Sequence, residues 1–467
     1  MERKKTKIVC TIGPACRGIL DEMVKAGMDV ARLNFSYGTH SQHREDIRRI
    51  RELSAELGKP ISIMQDLPGP KLRVGNIAPM ELKRGEEITL AAKKRIGTIP
   101  IPYPELMEDI RIGEPIFMDD GRIKLRAIGK GEGEVKCEVL EGGILSSHKG
   151  INLPQTHLTL RSATEEDLNH LRFGLEEKVD YVALSFVRSR QDIEGVKEEI
   201  KRREFDTPVI AKIEKSEALK AIDDILEVSD GVMVARGDLG VEVPIEEVAI
   251  VQKIVIEKCN RAGRPVITAT QMLESMVESQ RPTRAEVTDV SNAIFDGTDA
   301  VMLSEETATG KYPIGAVETM SKIACRTEAS LNYRQILLSK LDYRDETVSD
   351  AIAHATCQIA EELGAKGIVV STNSGSTALK VSRYRPSAPI LAITPREETW
   401  RRLNLVWGVY PYQVAGIRDT DDMMAQAERM GLESGLLQRG DRVVITAGVP
   451  FGLSGTTNLL KVQTIGG

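Results

Sequence analysis

The chain has 467 residues, of which 41% are hydrophobic and 28% charged, and its formal net charge is −6. This length predicts about three domains, and the acidic balance argues against a protein that binds nucleic acid or a membrane surface. No apolar run reaches the roughly 20 residues that cross a bilayer, and no apolar leader is evident. The six cysteines lack paired or metal-type spacing, which favours reduced thiols and a cytoplasmic location.

Short apolar, β-rich segments alternate with amphipathic segments in the first part of the chain. Strands are predicted at 7–12, 30–34 and 61–66. The alternation then stops, because residues 74–150 are rich in glycine, turn signals and short strand-like stretches. This pattern predicts a small all-β domain inserted after the third strand.

The alternation of strands and helices resumes after the insertion. Three strands before it and five after it make eight βα units, which predicts a (β/α)8 TIM barrel. The later strands are predicted at 181–185, 209–213, 232–235, 266–269 and 301–303, and the helices at 189–203, 215–228, 245–262, 283–296 and 313–330.

A separate α/β domain is predicted at the end of the chain. It begins with a helix at 347–364, followed by apolar strands and further helical segments. The chain is therefore expected to contain a barrel domain (1–73 and 151–338), an inserted small β-barrel (74–150) and a C-terminal α/β domain (339–467).

Polar side chains stand at the carboxyl ends of the predicted barrel strands, where barrel enzymes collect their active-site residues. A buried ion pair or a polar plug explains any one of them, since an unpaired charge in an apolar run is costly. The repeated placement favours a single site instead. The residues are Arg32, Asn34, Ser36, Asp66, Lys71, Arg73, Lys212, Glu214, Arg236, Asp238, Thr270, Gln271, Ser304 and Glu306.

These side chains suit phosphoryl transfer coupled to proton transfer. Two carboxylates on adjacent strands, Glu214 and Asp238, can hold Mg²⁺ or Mn²⁺. Arg32, Arg73 and Lys212 are cations suited to phosphoryl oxygens.

Two further features fit this chemistry. The glycine-containing segment 237–243 is expected to be a loop whose backbone N–H groups meet a carboxylate or a phosphate. Thr270 is a weak acid that can relay a proton but cannot abstract one unaided.

Several motifs are spread along the chain: KIVCTIGP (7–14), VARLNFS (30–36), KGINLP (149–154), AKIE (211–214), DGVMVARGDLG (230–240), PVITATQMLESM (265–276) and MLS (302–304). Together they resemble the pyruvate kinase family over essentially the whole chain. The resemblance implies a glycolytic phosphotransferase that converts phosphoenolpyruvate and ADP into pyruvate and ATP. It also implies a homotetramer in which the inserted domain closes as a lid.

The resemblance also implies roles for individual residues. Lys212 would stabilise the enolate, and Thr270 with Ser304 would deliver its proton. The metal would lie at Glu214 and Asp238. The substrate would contact Arg32, Lys212, Gly237, Asp238 and Thr270, and the nucleotide would contact Asn34, Arg73 and Lys149.

One departure from the family concerns a monovalent cation. Many members carry Glu at the position of Lys71 and need K⁺ held by residues matching Asn34, Ser36 and Asp66, next to Leu67. The ammonium group of Lys71 would place a fixed charge where K⁺ acts, so we predict activity that does not require K⁺. In the alternative, Lys71 faces solvent and K⁺ still binds.

A hydroxyl-rich segment precedes a helix predicted at 375–384 and resembles the family's effector loop. Its backbone N–H groups and hydroxyls can hold a phosphate, or the segment can be an ordinary helix cap. A basic side chain is missing at Asn373, which argues against a sugar bisphosphate and leaves a monophosphorylated effector or none. The loop comprises Thr372, Asn373, Ser374, Gly375, Ser376 and Thr377.

Two other functions remain as alternatives. Another metal-dependent barrel enzyme acting on phosphoenolpyruvate or a 2-oxoacid would explain Glu214 and Asp238, but not Arg73, Lys149 and the lid. A sensor that has lost catalysis would not require Lys212.

Overall fold

The computed structural model describes residues 3–70, 72–93, 95–156, 159, 162–450 and 455–466. Its first part alternates strands and helices, and each helix has identifiable ends. Thr39 caps the longest of them in a reciprocal capping box with Gln42, and Gly58 ends it in the left-handed conformation. The elements are β1 (Lys7–Thr11), α1 (Leu20–Ala26), β2 (Val30–Asn34), α2 (His40–Leu57) and β3 (Ser62–Leu67).

The inserted segment is rich in strands and has its own apolar core. Leu90, Ile116, Leu125 and Val139 are fully buried there. Its elements are β4 (Met80–Leu82), β5 (Glu87–Ala91), β6 (Thr98–Pro100), α3 (Pro104–Asp109), β7 (Pro115–Met118), β8 (Ile123–Gly131), β9 (Glu134–Glu141), β10 (Gly143–Leu145) and β11 (Ile151–Asn152). They pair as a sheet in the order β11-β7-β8-β9-β5-β6 and as a ribbon of β10 and β4.

The chain then returns to alternating strands and helices. The elements are α4 (Glu165–Glu176), β12 (Tyr181–Leu184), α5 (Arg190–Arg202), β13 (Val209–Ile213), α6 (Ser216–Lys220), α7 (Ile222–Val228), β14 (Gly231–Ala235), α8 (Arg236–Glu242), α9 (Val248–Ala262), β15 (Val266–Ala269), α10 (Arg284–Asp296), β16 (Ala300–Leu303), α11 (Glu305–Ala308), α12 (Pro313–Glu328) and α13 (Tyr333–Ser339).

Within the described residues, eight parallel strands close into a barrel in the order β1-β16-β15-β14-β13-β12-β3-β2. This confirms the predicted fold class. Side chains such as Val9, Ile210, Met233 and Ile267 fill the barrel interior. Because both faces of each strand are buried, most residues within the strands are apolar, and charged side chains gather towards the strand ends.

The C-terminal part is an α/β domain, as predicted. Its elements are α14 (Val348–Glu362), β17 (Gly367–Ser371), α15 (Ser376–Arg383), β18 (Ile390–Thr394), α16 (Glu397–Arg402), β19 (Val409–Gln413), α17 (Thr420–Glu433), β20 (Arg442–Gly448) and β21 (Thr457–Thr464). They form a sheet in the order β19-β18-β17-β20-β21, in which β21 runs antiparallel to β20. None of the helices in the described parts of the chain combines the length and apolar character needed to cross a bilayer.

Two local predictions were wrong. The helix predicted at 215–228 is interrupted at Ala221, whose backbone leaves the helical conformation between α6 and α7. The segment 237–243, predicted as a loop because of its glycines, is mostly the helix α8. Its Leu239 is fully buried against the barrel, and this packing outweighs the low helix propensity of glycine.

The barrel and the C-terminal domain meet in a buried ion-pair cluster around Asp180. Arg401 Nε of the C-terminal domain donates to Asp180 Oδ1 at 2.7 Å, and Arg51 Nη1 lies 2.9 Å from Asp180 Oδ2. The N–H of Ile63 also donates to Asp180 Oδ2, at 2.7 Å. The Asp180 side chain is only 1% exposed, so this one carboxylate compensates two guanidinium groups.

Replacing Asp180 with alanine is expected to destabilise the protein by about 3–5 kcal/mol, because Arg401 and Arg51 lose their shared buried partner. Glu397→Gln is the matched control, since Glu397 pairs with the same Arg401 but is 60% exposed. That change should cost about 0–1 kcal/mol. Denaturant unfolding, followed by the fluorescence of Trp400 and Trp407, measures the free energy of unfolding of both variants. Equal losses of unfolding free energy in the two variants would contradict the prediction.

Candidate active site

A network of buried charges lies at the carboxyl ends of β2, β3 and β13. Arg32 Nε donates to Asp66 Oδ2 at 2.7 Å. Lys212 Nζ lies 3.2 Å from Asp66 Oδ1 and 2.8 Å from Glu214 Oε1. The structure thus brings together four residues that the sequence singled out, with two cations alternating with two carboxylates.

Burial and pairing have opposite effects on these groups. Burial disfavours the charged form of Lys212, but Asp66 and Glu214 outweigh it and raise the Lys212 pKa above its usual value. Burial likewise opposes ionisation of Asp66, yet Lys212 and Arg32 hold its pKa below the usual range. Lys212 is therefore a permanently charged ammonium group at neutral pH.

Glu214 carries an excess of negative charge that the protein does not fully compensate. Burial raises the pKa of Glu214, the nearby Asp238 raises it further, and Lys212 opposes both effects. The N–H of Phe186 donates to Glu214 Oε2 at 2.8 Å. Two neighbouring carboxylates of this kind fit a divalent cation that prefers hard oxygen ligands. No group of three or more potential metal ligands occurs among the described residues, so such a cation would need oxygens from a ligand as well.

Two hydroxyl groups that the sequence analysis missed complete the network. Lys212 Nζ donates to Ser185 Oγ at 2.7 Å, and Ser185 Oγ donates to the carbonyl of Leu67 at 2.7 Å. Arg32 Nη1 donates to Thr11 Oγ1 at 2.9 Å. The same sequence pattern that identified the other site residues applies to Ser185 and Thr11, because each ends an apolar strand segment.

In the predicted monovalent-cation site, Asn34 and Asp66 are partners on neighbouring strands, but their side chains bind different groups. The Asp66 carboxylate pairs with Arg32 and Lys212. Asn34 Oδ1 instead accepts the N–H of Ser36 at 3.1 Å. Lys71 lies outside the described residues.

Thr270 is held in an uncommon backbone conformation at the end of β15. Its φ is 68°, and that of Gln271 is 55°, which is unfavourable for a β-branched residue. Thr270 Oγ1 accepts the N–H of Gly237 at 2.8 Å and donates to the carbonyl of Ala269 at 2.6 Å. Ser304 follows β16, and its N–H donates to Glu306 Oε2 at 2.7 Å.

Arg236, which the sequence placed at a strand end without assigning it a role, fixes this strained turn. Its Nη2 donates to the carbonyl of Thr270 at 2.7 Å, and its Nη1 donates to Asp289 Oδ1 at 2.7 Å. Asp289 lies on α10, so the helix after β15 anchors the end of β15 through one arginine. Arg236 therefore positions Thr270.

Arg236→Met is expected to lower kcat by about 10²-fold, since small displacements of a reacting group have effects of this size, and to change KM little. Steady-state kinetics separate the two constants. The control is Arg190→Met, because Arg190 forms ion pairs on the surface with Glu194 and Glu227. A rise in KM with an unchanged kcat would contradict the positioning role.

A cleft of about 340 Å³ separates the barrel from the inserted domain. Arg73, Lys149 and Asp238 all line it. Two of the residues predicted to bind the nucleotide therefore share this cleft with one of the two carboxylates predicted to bind the metal. Lys149 Nζ lies 2.6 Å from Asp119 Oδ1, and Arg73 Nη1 donates to the carbonyl of His148 at 2.8 Å.

A buried pair on the barrel side of this cleft connects the two domains. Lys215 Nζ donates to Glu242 Oε1 at 2.6 Å, and Asn152 on β11, which pairs with β7 of the inserted sheet, donates to the same oxygen at 3.4 Å. Burial raises the pKa of Glu242, while Lys215 and Asn152 oppose it. Sequence reasoning missed both charged residues, because each belongs to a helix or loop with ordinary surface composition.

The hydroxyl-rich segment after β17 forms a turn before α15. The N–H of Gly375 donates to Thr372 Oγ1 at 3.0 Å, and the carbonyl of Asn373 accepts from Thr399 Oγ1 at 2.7 Å. The hydroxyls of Thr377 and Thr457 lie 2.7 Å apart, which joins the segment to the start of β21.

Comparisons with known proteins agree along almost the whole chain. The family model described as pyruvate kinase, barrel domain, matches residues 3–317, and the one described as pyruvate kinase, alpha/beta domain, matches residues 350–463. The chain is 47% identical to pyruvate kinase of Geobacillus stearothermophilus over 473 residues, covering 99% of this chain and 81% of that protein. It is 46% identical to pyruvate kinase of Staphylococcus haemolyticus, with the same coverage. A crystal structure of a pyruvate kinase from Cryptosporidium parvum superposes with a TM-score of 0.95 at 35% identity, covering 99% of this chain and 96% of that chain.

Proposed function

The chain belongs to the pyruvate kinase family, and from this premise we propose that it transfers the phosphoryl group of phosphoenolpyruvate to ADP, giving pyruvate and ATP. The observation that carries the proposal is the Lys212 ammonium group, held between Asp66 and Glu214 at the mouth of the barrel. A fixed positive charge at this place suits the negative charge that develops during phosphoryl transfer.

Glu214 and Asp238 fit a divalent cation, Mg²⁺ or Mn²⁺, because their oxygens are hard ligands and Lys212 compensates the negative charge at Glu214 only in part. When bound, such an ion supplies charge neutralisation for phosphoryl and carboxylate oxygens. The N–H groups at the start of α8 would add weaker donors for the same substrate, apart from that of Gly237, which donates to Thr270 Oγ1.

Lys212 and Arg32 act on the transferring phosphoryl group. The bond between the phosphorus and the enol oxygen breaks, and a terminal oxygen of ADP forms the new bond to phosphorus. Lys212 stabilises the enolate oxygen that is left behind. Thr270, with Ser304 behind it, relays a proton to the terminal carbon, and pyruvate results.

Asn34, Arg73 and Lys149 are proposed to hold the nucleotide phosphates. Arg73 and Lys149 both line the cleft between the barrel and the inserted domain. They lie on two neighbouring segments that pair with each other, since Arg73 is bridged to Gly150. Closure of that domain would bring Lys149 to the nucleotide and exclude water, which would otherwise compete with ADP for the phosphoryl group.

We further propose that catalysis does not require K⁺. The Asp66 carboxylate already has two cationic partners in Arg32 and Lys212, which leaves it less suited to hold an additional ion. The ammonium group of Lys71 would supply a fixed positive charge in place of the ion.

A homotetrameric, cytoplasmic enzyme is the expected form. Exposed isoleucines on and before α9, namely Ile245, Ile250 and Ile254, support self-association, because apolar side chains at such spacing are typical of an interface. The turn of Thr372–Thr377 remains the candidate site for a phosphorylated effector.

The function is tested by assaying the purified chain with phosphoenolpyruvate, ADP and Mg²⁺, and by measuring pyruvate and ATP together. Equal amounts of both products, formed only when ADP is present, are expected. Pyruvate formed without ADP would favour another barrel enzyme of 2-oxoacid chemistry, and the absence of turnover would favour a sensor.

A further inference from the structure

A second pocket, of about 170 Å³, lies between the barrel and the C-terminal domain. It lies beside Asp299, which precedes β16, and hence at the opposite end of the barrel from the catalytic charges. Parts of α9, α10 and α13 line it, together with Arg385 and Trp407 of the C-terminal domain. The pocket therefore touches both domains and the segment that connects them.

Lys340 places an uncompensated charge in this pocket. The residue is only 7% exposed, and its ammonium group lies 5.0 Å from the centre of the Tyr343 ring. No ion pair to Lys340 occurs among the described residues. Burial, together with the neighbouring Arg385, lowers the pKa of Lys340 to about 7. A buried cation without a partner is unfavourable, so it calls for an explanation.

The carboxylates near the pocket do not supply the missing partner. Glu257 is exposed at its edge, and Asp296 pairs with Lys253 and with Gln252. Asp299 pairs with Arg385, at 2.9 and 3.0 Å.

Arg385 adds an unused hydrogen-bond donor. Its Nη atoms bind Asp299, the side chain of Asn260 and the carbonyl of Gly297. Its Nε is buried and has no hydrogen-bond partner among the described residues. The pocket thus combines an unpaired ammonium group with an unsatisfied guanidinium N–H.

The remaining walls are largely apolar. Ile294, Leu331, Ile336 and Trp407 line the pocket. At about 30 Å³ per water molecule, its volume corresponds to roughly six non-hydrogen atoms. We propose that this pocket binds a small organic carboxylate, whose charged group pairs with Lys340 and whose short hydrocarbon chain packs on these side chains.

Such a ligand would contact three parts of the molecule at once. Its carboxylate would contact the connecting segment at Lys340, and its chain would contact the barrel at Ile294 and the C-terminal domain at Trp407. Bound ligand should therefore suppress local opening of α13 and of the end of α10.

The test is hydrogen exchange of the full-length protein, titrated with butyrate. Slower exchange is expected in residues 331–343. Lys340→Met should weaken this effect by about tenfold or more, because a charged hydrogen bond is lost. Lys322→Met is the matched control, since Lys322 is 76% exposed on α12, and it should respond like the unmodified protein.

Lys340→Met removes an unpaired buried charge, so the variant should fold at least as well as the original. If it does not fold, Ile336→Phe, which fills the pocket, should cause the same loss of protection. Absence of protection by butyrate, or equal protection in the Lys340→Met variant, would overturn the proposal. Protection by inorganic phosphate but not by butyrate would overturn the carboxylate assignment.

Discussion

Replacing Lys212 with methionine is expected to lower kcat by about 10²–10³-fold, the usual effect of removing one donor from a developing oxyanion. The physical reason is the place of its ammonium group, 2.8 Å from Glu214 and 3.2 Å from Asp66. Methionine fills the same volume but supplies no charge for the enolate. A coupled assay of pyruvate formation measures the loss.

Two comparisons separate this catalytic role from a structural one. Lys220→Met changes an exposed lysine on α6 and should leave kcat unaltered. Lys212→Met also leaves Glu214 and Asp66 with fewer cationic partners, so its melting temperature should fall and should recover as Mg²⁺ is added. A loss of kcat smaller than about tenfold, the equivalent of 1.4 kcal/mol, would contradict the assignment of Lys212.

The second large effect concerns K⁺. The unmodified chain should retain its activity when KCl is replaced by tetramethylammonium chloride at the same ionic strength, which keeps charge screening constant. Lys71→Glu should nearly abolish that activity, and K⁺ should restore it. The reason is that the variant exchanges a fixed positive charge for a carboxylate that needs a cation.

Lys83→Glu is the matched control, because it makes the same charge change at an exposed position of the inserted domain. Its activity should remain independent of K⁺. An unmodified enzyme that is inactive in tetramethylammonium chloride and is rescued by K⁺ would refute the prediction and favour the alternative in which Lys71 faces solvent.

The barrel could be predicted from sequence because its strands are continuous apolar runs that end in polar residues. Lys212, Glu214 and Thr270 follow this rule, and each lies at a strand end in the structure. β21 was missed for the opposite reason. Thr457–Thr464 is an edge strand with mostly intermediate or exposed side chains, so it lacks the apolar signal of a buried strand.

Partners distant in the chain were harder to predict than the strand ends. Arg236 supports Thr270 through Asp289, which is 53 positions away, and Ser185 binds Lys212 across 27 positions. The periodicity of apolar residues predicts which side of a segment faces the core. It does not predict which side chains of other segments contact that side.

The cluster at Asp180 has a mechanical consequence. Asp180 immediately precedes β12, which leads to Ser185, and it binds Ile63 at the start of β3, which carries Asp66. At about 3.3 Å per residue, only about 10 Å of stiff strand separates Ile63 from Asp66. A rotation of the C-terminal domain that displaces Arg401 would therefore displace β12 and β3 along their length, and with them Ser185 and Asp66. Asp180→Ala is therefore also expected to raise the KM for phosphoenolpyruvate. An unchanged KM would show that the Asp180 cluster and the active-site residues move independently.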